Sequence, residues 1–150
     1  MYKNKYLKYK DKYMNTLKNQ DGGADILPTY DKNILNIISF FFEHKIKIKM
    51  LHFQTKNYGT HKALDAYLTE FNNKFDRFME VAQGNVNKLT NTNIKIDVKM
   101  LSDDTIIDYL SYFITHLNTI DSLTSHNGLR AIRDELVADA DQLKYLLTFN

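Results

Sequence analysis

The sequence predicts an all-α protein: an antiparallel four-helix bundle in residues 24–150, preceded by a basic N-terminal tail in residues 1–23. Three observations support this. Apolar residues recur at intervals of three and four in four separate segments, which is the period of amphipathic helices. The 150 residues include only five glycines and one proline that would interrupt helices. Short first and third connections favour antiparallel neighbours, and a longer middle connection suits a crossover.

The first helix is predicted from about Asp31 to Gln54, just after the single proline, Pro28. Asp31 or Thr29 is a suitable cap for its first turn. A short turn is predicted at Asn57–Thr60. The apolar face of this helix consists of Ile34, Leu35, Ile38, Phe41, Phe42, Ile48 and Leu51.

The second helix is predicted from about Thr60 to Gln83, with Gly84 ending it, because glycine is the preferred residue just beyond a helix. Its apolar residues form one continuous stripe, which we expect to be buried. The stripe consists of Leu64, Tyr67, Leu68, Phe71, Phe75, Phe78 and Ala82.

Residues 85–101 have no helical period. Ile94, Ile96 and Val98 alternate with polar residues, as in a short strand. No partner strand is visible, which favours a crossover or irregular segment over a sheet.

The third helix is predicted to begin at Ser102, because Ser102, Asp103 and Asp104 are good residues for a helix N-terminus. Asn127-Gly128 predicts a turn, and the fourth helix is predicted from about Leu129 to Leu147. The apolar residues of the third helix are Ile106, Ile107, Leu110, Phe113, Ile114, Leu117 and Ile120. Those of the fourth are Ile132, Leu136, Val137, Ala140, Leu143 and Leu147.

The composition excludes two classes of site. With no cysteine, the chain has no disulfides and no thiolate metal ligands, so any metal ion must bind to His, Asp, Glu or water.

No apolar run approaches the length of a membrane span, and we expect no membrane partner. The N-terminus lacks the apolar centre of a signal peptide, so we expect a protein that is not secreted.

The tail differs from the bundle in charge. Residues 1–21 hold six lysines and two aspartates, a net charge of +4, whereas the whole chain carries +2. Tyrosines interleave with the lysines, and Gly22-Gly23 predicts a hinge. Such a segment suits contacts with phosphate backbones and stacking on bases, or protein interaction and packaging. The basic residues of the tail are Lys3, Lys5, Lys8, Lys10, Lys12 and Lys18.

Four ligand-type residues share one face of the second helix. At 100° per residue, His61, Asp65, Asp76 and Glu80 lie within about 100° of arc, beside the apolar stripe. His61 and Asp76 are 15 residues apart, about 22 Å along a helix, so they cannot bind one ion within one chain. Two half-sites remain: His61 and Asp65, with His52 as a further candidate, and Asp76 with Glu80. A two-fold dimer that packs this helix antiparallel to its symmetry mate, crossing near Asn72, would join one half-site from each chain. A mixed histidine and carboxylate set suits iron, with zinc or manganese as competitors.

The stretch from His52 to His61, followed by Asp65, Asp76 and Glu80, resembles the Dps family of mini-ferritins. It is also similar to ferritin-like proteins of phages and viruses. The resemblance implies a ferritin-like bundle that oxidises iron at a dimer interface. It implies that His52, His61 and Asp65 bind metal from one chain, and Asp76 and Glu80 from the other. It further implies a homodimer through the second helix, or a higher oligomer.

The tail pattern from Lys5 to Tyr13, ending in Gly22-Gly23, resembles the N-terminal segment of many giant-virus proteins. This resemblance implies a viral protein, located in the virion or the host cytoplasm. The resemblance to Dps proteins implies DNA binding through the lysines as one role for the tail. Virion packaging, or processing near Gly22-Gly23, is the other.

The same residues also fit simpler interpretations. The carboxylates of the second helix fit a solvated face, and His52 fits a cation at a helix C-terminus. His44, His116 and His126 have no surrounding carboxylate pattern, so we expect them to be structural. We expect Asp134, Glu135, Asp139 and Asp141 to form the outer face of the last helix. A catalytically silent structural or nucleoid-associated protein, or a plain helical interaction module, is therefore the alternative function.

Overall fold

The computed structural model describes residues 29–85, 93–120 and 126–149. These residues form four α-helices followed by a short 3₁₀ turn, and the described part of the chain contains no strand. The prediction of an all-α fold is confirmed for the described residues. The ferritin-like and antiparallel arrangement of the helices stays a prediction. The predicted tail and its boundary at residue 23 lie outside the described residues. The elements are α1 (Thr29–Gln54), α2 (Tyr58–Asn85), α3 (Ile106–Thr119), α4 (Asn127–Leu146) and the 3₁₀ turn Leu147–Phe149.

The core between α1 and α2 is aromatic. Phe41 lies edge-on to Phe71, Phe75 and Phe78, with ring centroids 5.0 to 6.0 Å apart. All seven residues of the predicted α2 stripe are buried, as expected from their helical spacing. On α1 the prediction was wrong for Phe42, which is exposed at the edge of the bundle.

Asn57 determines where α2 begins. Its Oδ1 accepts a hydrogen bond from the Thr60 backbone N–H at 3.0 Å, which satisfies one of the free donors of the first turn. The helix therefore begins at Tyr58, and the turn predicted at Asn57–Thr60 is wrong. Gly84 lies inside the helix, which continues to Asn85 rather than ending at Gln83.

The predicted start of α3 is also wrong. Ser102 and Thr105 close a turn, in which the Ser102 N–H donates to Thr105 Oγ1 at 2.9 Å and the Thr105 N–H donates to the Ser102 carbonyl at 3.1 Å. Asp103 and Asp104 lie in this turn, and the helix begins only at Ile106.

His126 shifts the start of α4. Its imidazole accepts a hydrogen bond from the Leu129 backbone N–H at 3.2 Å and thereby caps the helix. Asn127 and Gly128 consequently lie in the first turn of α4 and not in a turn before it. The prediction of a start at Leu129 was two residues late.

Residues 93–102, which precede the turn into α3, are irregular. Ile94 and Ile96 are exposed, so their alternation with polar residues does not mark a strand in this part of the chain. The earlier part of the connection, residues 86–92, lies outside the described residues. No described helix is long and apolar enough to cross a bilayer.

Candidate metal centre

Two histidines meet where α1 ends and α2 begins. His52 is in the last turn of α1 and is 7% exposed, and His61 is in the first turn of α2. The three-residue connection Thr55–Asn57 brings the two turns together. The imidazole rings stack with centroids 4.0 Å apart and an interplanar angle of 23°.

Each imidazole is held by the backbone of the other histidine. His52 Nδ1 lies 3.2 Å from the carbonyl oxygen of His61, and His61 Nδ1 lies 3.0 Å from the carbonyl oxygen of His52. A carbonyl oxygen can only accept, so each Nδ1 must carry the hydrogen. In the neutral rings, both Nε2 atoms therefore keep a free lone pair. Metal-binding histidines are commonly oriented by this type of Nδ1–H hydrogen bond.

Asp65 stands one turn after His61, and its carboxylate is about half exposed. Its Oδ1 lies 4.0 Å from His52 Nε2, which is too long for a hydrogen bond. Two ligand bonds of about 2.0–2.2 Å each can span that gap. The structure thus places His52 beside both His61, through the stacked rings, and Asp65, through the 4.0 Å approach of the carboxylate.

Asp76 and Glu80 lie further along α2 and are exposed. Four residues separate them, so they face outwards on one side of the helix, about 6 Å apart along its axis. They are too far along α2 to reach His61. Among the described residues, no group of three or more His, Asp or Glu side chains is arranged to hold a metal ion within one chain.

The other three histidines have structural contacts. His44 is fully buried and forms hydrogen bonds with the hydroxyls of Tyr67 and Tyr109, at 2.7 and 3.0 Å. Its spacing of three from Phe41 and four from Ile48 follows the core period, so its burial is visible in the sequence. His116 packs on Phe40 with ring centroids 4.3 Å apart, and His126 caps α4.

A polar cluster joins α2 to α4. Lys74 Nζ lies 2.7 Å from Asp139 Oδ2 and 3.2 Å from Glu70 Oε2. Burial alone would lower the pKa of Lys74, but its hydrogen bonds to Asp139 and Glu70 raise it. The prediction for Asp139 was wrong: it points towards α2 and is largely covered, because Lys74 neutralises it there.

A surface cavity of about 130 Å³ lies beside this cluster, between α2 and α4. The small side chains of Ala63 and Ala66 leave the space, and Tyr67 is also among the lining residues. Sequence patterns did not indicate this cavity, because it depends on which residues of two distant helices face each other.

The family comparison covers the candidate centre. A model described as a family of unknown function (DUF5856) matches residues 52–147, a range that begins at His52 and contains His61, Asp65, Asp76 and Glu80. Neither the curated proteins nor the solved structures gave a match.

Proposed function

Because the chain belongs to the DUF5856 family, whose function is unknown, we propose its function from its own residues. It is a Dps-like iron-binding protein with ferroxidase activity, and two chains together complete each metal centre. The centre combines His52, His61 and Asp65 of one chain with Asp76 and Glu80 of the partner subunit. Zinc and manganese are the competing metals, because they accept the same donors.

The observation that carries this proposal is the reciprocal hydrogen bonding of the two histidines. Each Nδ1–H donates to a backbone carbonyl, which leaves each Nε2 lone pair available. The His52 Nε2 lone pair lies 4.0 Å from the Asp65 carboxylate oxygen, and two such acceptors repel each other unless a cation lies between them. Imidazole nitrogen with carboxylate oxygen is a donor set that suits Fe(II).

The separation of the two half-sites along α2 supports a dimer. If α2 crosses its symmetry mate in antiparallel fashion near Asn72, His61 and Asp65 of one chain come to lie beside Asp76 and Glu80 of the partner subunit. A two-fold axis makes both centres identical. Asp65, Asp76 and Glu80 are exposed on α2, so a second chain could reach them.

An apolar stripe on α1 also supports a dimer interface on the side of α2 that carries the two half-sites. Phe42, Ile46 and Phe53 are exposed and are spaced four and seven residues apart, so they share one side of the helix. The rings of Phe42 and Phe75 of α2 have centroids 4.9 Å apart, which puts the stripe on the side of α1 that faces α2. A second copy of the chain would cover this stripe while completing the metal centres.

Iron is the substrate in this account. Two Fe(II) ions lose one electron each, and one peroxide molecule accepts both electrons and yields two hydroxide ions. The histidines and carboxylates hold the ions and offset their increasing charge as they become Fe(III). The protein contributes position and charge, and the metal contributes the redox chemistry.

Anaerobic loading with Fe(II), followed by measurement of bound iron per chain, tests the proposal. We expect specific binding in the wild type and its loss in the Asp76→Ala/Glu80→Ala variant. An Asp108→Ala/Asp141→Ala variant is the control, because it removes two exposed carboxylates from α3 and α4. Equal iron in all three proteins, or none in the wild type, would contradict the proposal.

The alternative is a catalytically silent virion or nucleoid-associated protein that acts through its basic tail. The charge distribution favours it, because residues 1–21 carry +4 in a chain whose total is only +2. Deletion of residues 1–23 should then remove DNA binding or packaging while the helical content is kept. If both activities survive the deletion, this alternative is wrong. Either function fits a location in the virion or the host cytoplasm.

A further inference from the structure

A polar layer crosses the apolar core at the level of His44. The imidazole on α1 is fully buried, and it joins Tyr67 of α2 to Tyr109 of α3. It also stacks on Phe113 with ring centroids 3.6 Å apart. The function proposed above does not use any of these three polar residues.

The direction of the two hydrogen bonds follows from the chemistry of the groups. Burial, and then the nearby Lys47, hold the pKa of His44 well below its ordinary value, so the ring is neutral. A neutral imidazole has one donor and one acceptor nitrogen. Hydroxyl donors make shorter bonds than N–H donors. Tyr67 therefore donates its hydroxyl proton to Nε2 at 2.7 Å, and Nδ1–H donates to the Tyr109 oxygen at 3.0 Å.

We propose that Tyr67 is a redox-active tyrosine, a one-electron donor to peroxide-derived radicals, with His44 as its proton acceptor. The electron leaves the Tyr67 ring for a hydroxyl radical, which becomes hydroxide. At the same time the Tyr67 O–H bond breaks and an Nε2–H bond forms on His44. The products are a neutral tyrosyl radical and an imidazolium ion.

The layer also provides a route for the proton. A buried imidazolium is unfavourable, because burial and Lys47 both oppose its charge. Its Nδ1 proton already points at the Tyr109 oxygen, and burial, followed by the nearby Glu43 carboxylate, raises the pKa of Tyr109. The Nδ1 proton can move to the Tyr109 oxygen as the Tyr109 hydroxyl proton moves to a solvent water at the partly exposed side of that residue, so that Tyr109 stays neutral. A positioned acceptor within hydrogen-bond distance is the requirement for such a transfer.

Two further observations favour Tyr67 as the donor. Tyr67 is one of the residues that line the cavity between α2 and α4, so a small oxidant that enters this cavity comes next to this residue. The sequence has no cysteine and no tryptophan, which removes two competing classes of donor. The activity is independent of the proposed iron site, because it requires only an oxidant.

Flash photolysis with tris(bipyridine)ruthenium and persulfate, followed by electron paramagnetic resonance, tests the proposal without iron. We expect the wild type to form a long-lived neutral tyrosyl radical. Tyr67→Phe should lose this signal, and Tyr145→Phe, which removes an exposed hydroxyl from α4, should keep it. His44→Phe should also lose it, because the proton acceptor is gone. An undiminished long-lived signal in Tyr67→Phe or in His44→Phe would overturn the proposal.

A second measurement keeps the test valid if these variants fail to fold. Insertion of 3-fluorotyrosine at position 67 keeps the hydroxyl and nearly the same volume. The fluorine should then split the radical spectrum of the folded protein. A long-lived signal without fluorine splitting would place the radical elsewhere and contradict the proposal, as would the absence of any long-lived signal.

Discussion

His52 and His61 each hold the other's imidazole through the backbone, with Nδ1 to carbonyl oxygen distances of 3.2 and 3.0 Å. This pairing fixes both rings through their Nδ1 atoms and leaves both Nε2 atoms out of these two hydrogen bonds. It also joins the last turn of α1 to the first turn of α2. The proposed metal binding would therefore be linked to the geometry of this corner.

Replacement of His52 separates a metal ligand from a simple cation at the end of a helix. His52→Gln keeps a side-chain N–H that can donate to the His61 carbonyl but removes the imidazole Nε2. We expect affinity for Co(II), a spectroscopic substitute for Fe(II), to fall at least about tenfold. His116→Gln is the control and should bind like the wild type. Unchanged Co(II) spectra in His52→Gln would favour the helix-end role.

The α1 stripe predicts which surface would form the proposed dimer. Ile46 and Ile107 are equally exposed, at 36% and 38%, but Ile46 lies in the stripe and Ile107 lies on α3. Ile46→Lys should dissociate the dimer, because a charge would be buried at the contact. Ile107→Lys should leave it intact in analytical ultracentrifugation. If the two variants dissociate to the same extent, the α1 stripe is not the dimer interface.

Buried His44 predicts how stability depends on pH. Its pKa is lowered in the folded chain, mainly by burial, whereas in the unfolded chain it is near 6.5. Below about pH 6.5 the unfolded chain binds the extra proton, so stability should fall as pH falls, by up to about 1.4 kcal/mol per pH unit from this group. Urea unfolding between pH 7 and pH 5 measures the slope.

His44→Phe should flatten this slope, even though the loss of two hydrogen bonds lowers stability at every pH. Tyr67, Tyr109 and Lys47 face the imidazole and are retained in the variant. Ile48→Val is the control: it should cost about 1 kcal/mol and keep the wild-type slope. If the free energy of unfolding falls with pH equally steeply in the wild type and in His44→Phe, His44 is not the source of the pH dependence.

The cap on α4 predicts a local loss of stability. His126→Ala removes the acceptor for the Leu129 N–H and should cost about 1 kcal/mol of unfolding free energy. His126→Asn restores a capping side chain and should recover most of it. Urea denaturation with an unchanged m-value measures both. No difference between the alanine and asparagine variants would contradict a capping role.

The sequence predicted the buried face of α2 fully, because the period of three and four fixes which side of a helix is apolar. The starts of α2 and α4 were misplaced, since Asn57 and His126 act through single side-chain hydrogen bonds that periodicity does not show. The turn Thr55–Asn57 brings His52 beside His61, and their metal binding stays a prediction. The link from His44 to Tyr109 spans 65 residues, and a pattern within one helix cannot identify such a partner.

The most direct test of the central claim is complementation between two inactive variants. One variant is His61→Ala/Asp65→Ala, and the other is Asp76→Ala/Glu80→Ala. Each alone should lack iron oxidation. A mixed dimer has one centre with all five ligands and one that keeps only His52, so unfolding and refolding the two together should restore part of the wild-type rate. If the mixture stays inactive although mixed dimers form, the two half-sites do not combine across chains and the account is wrong.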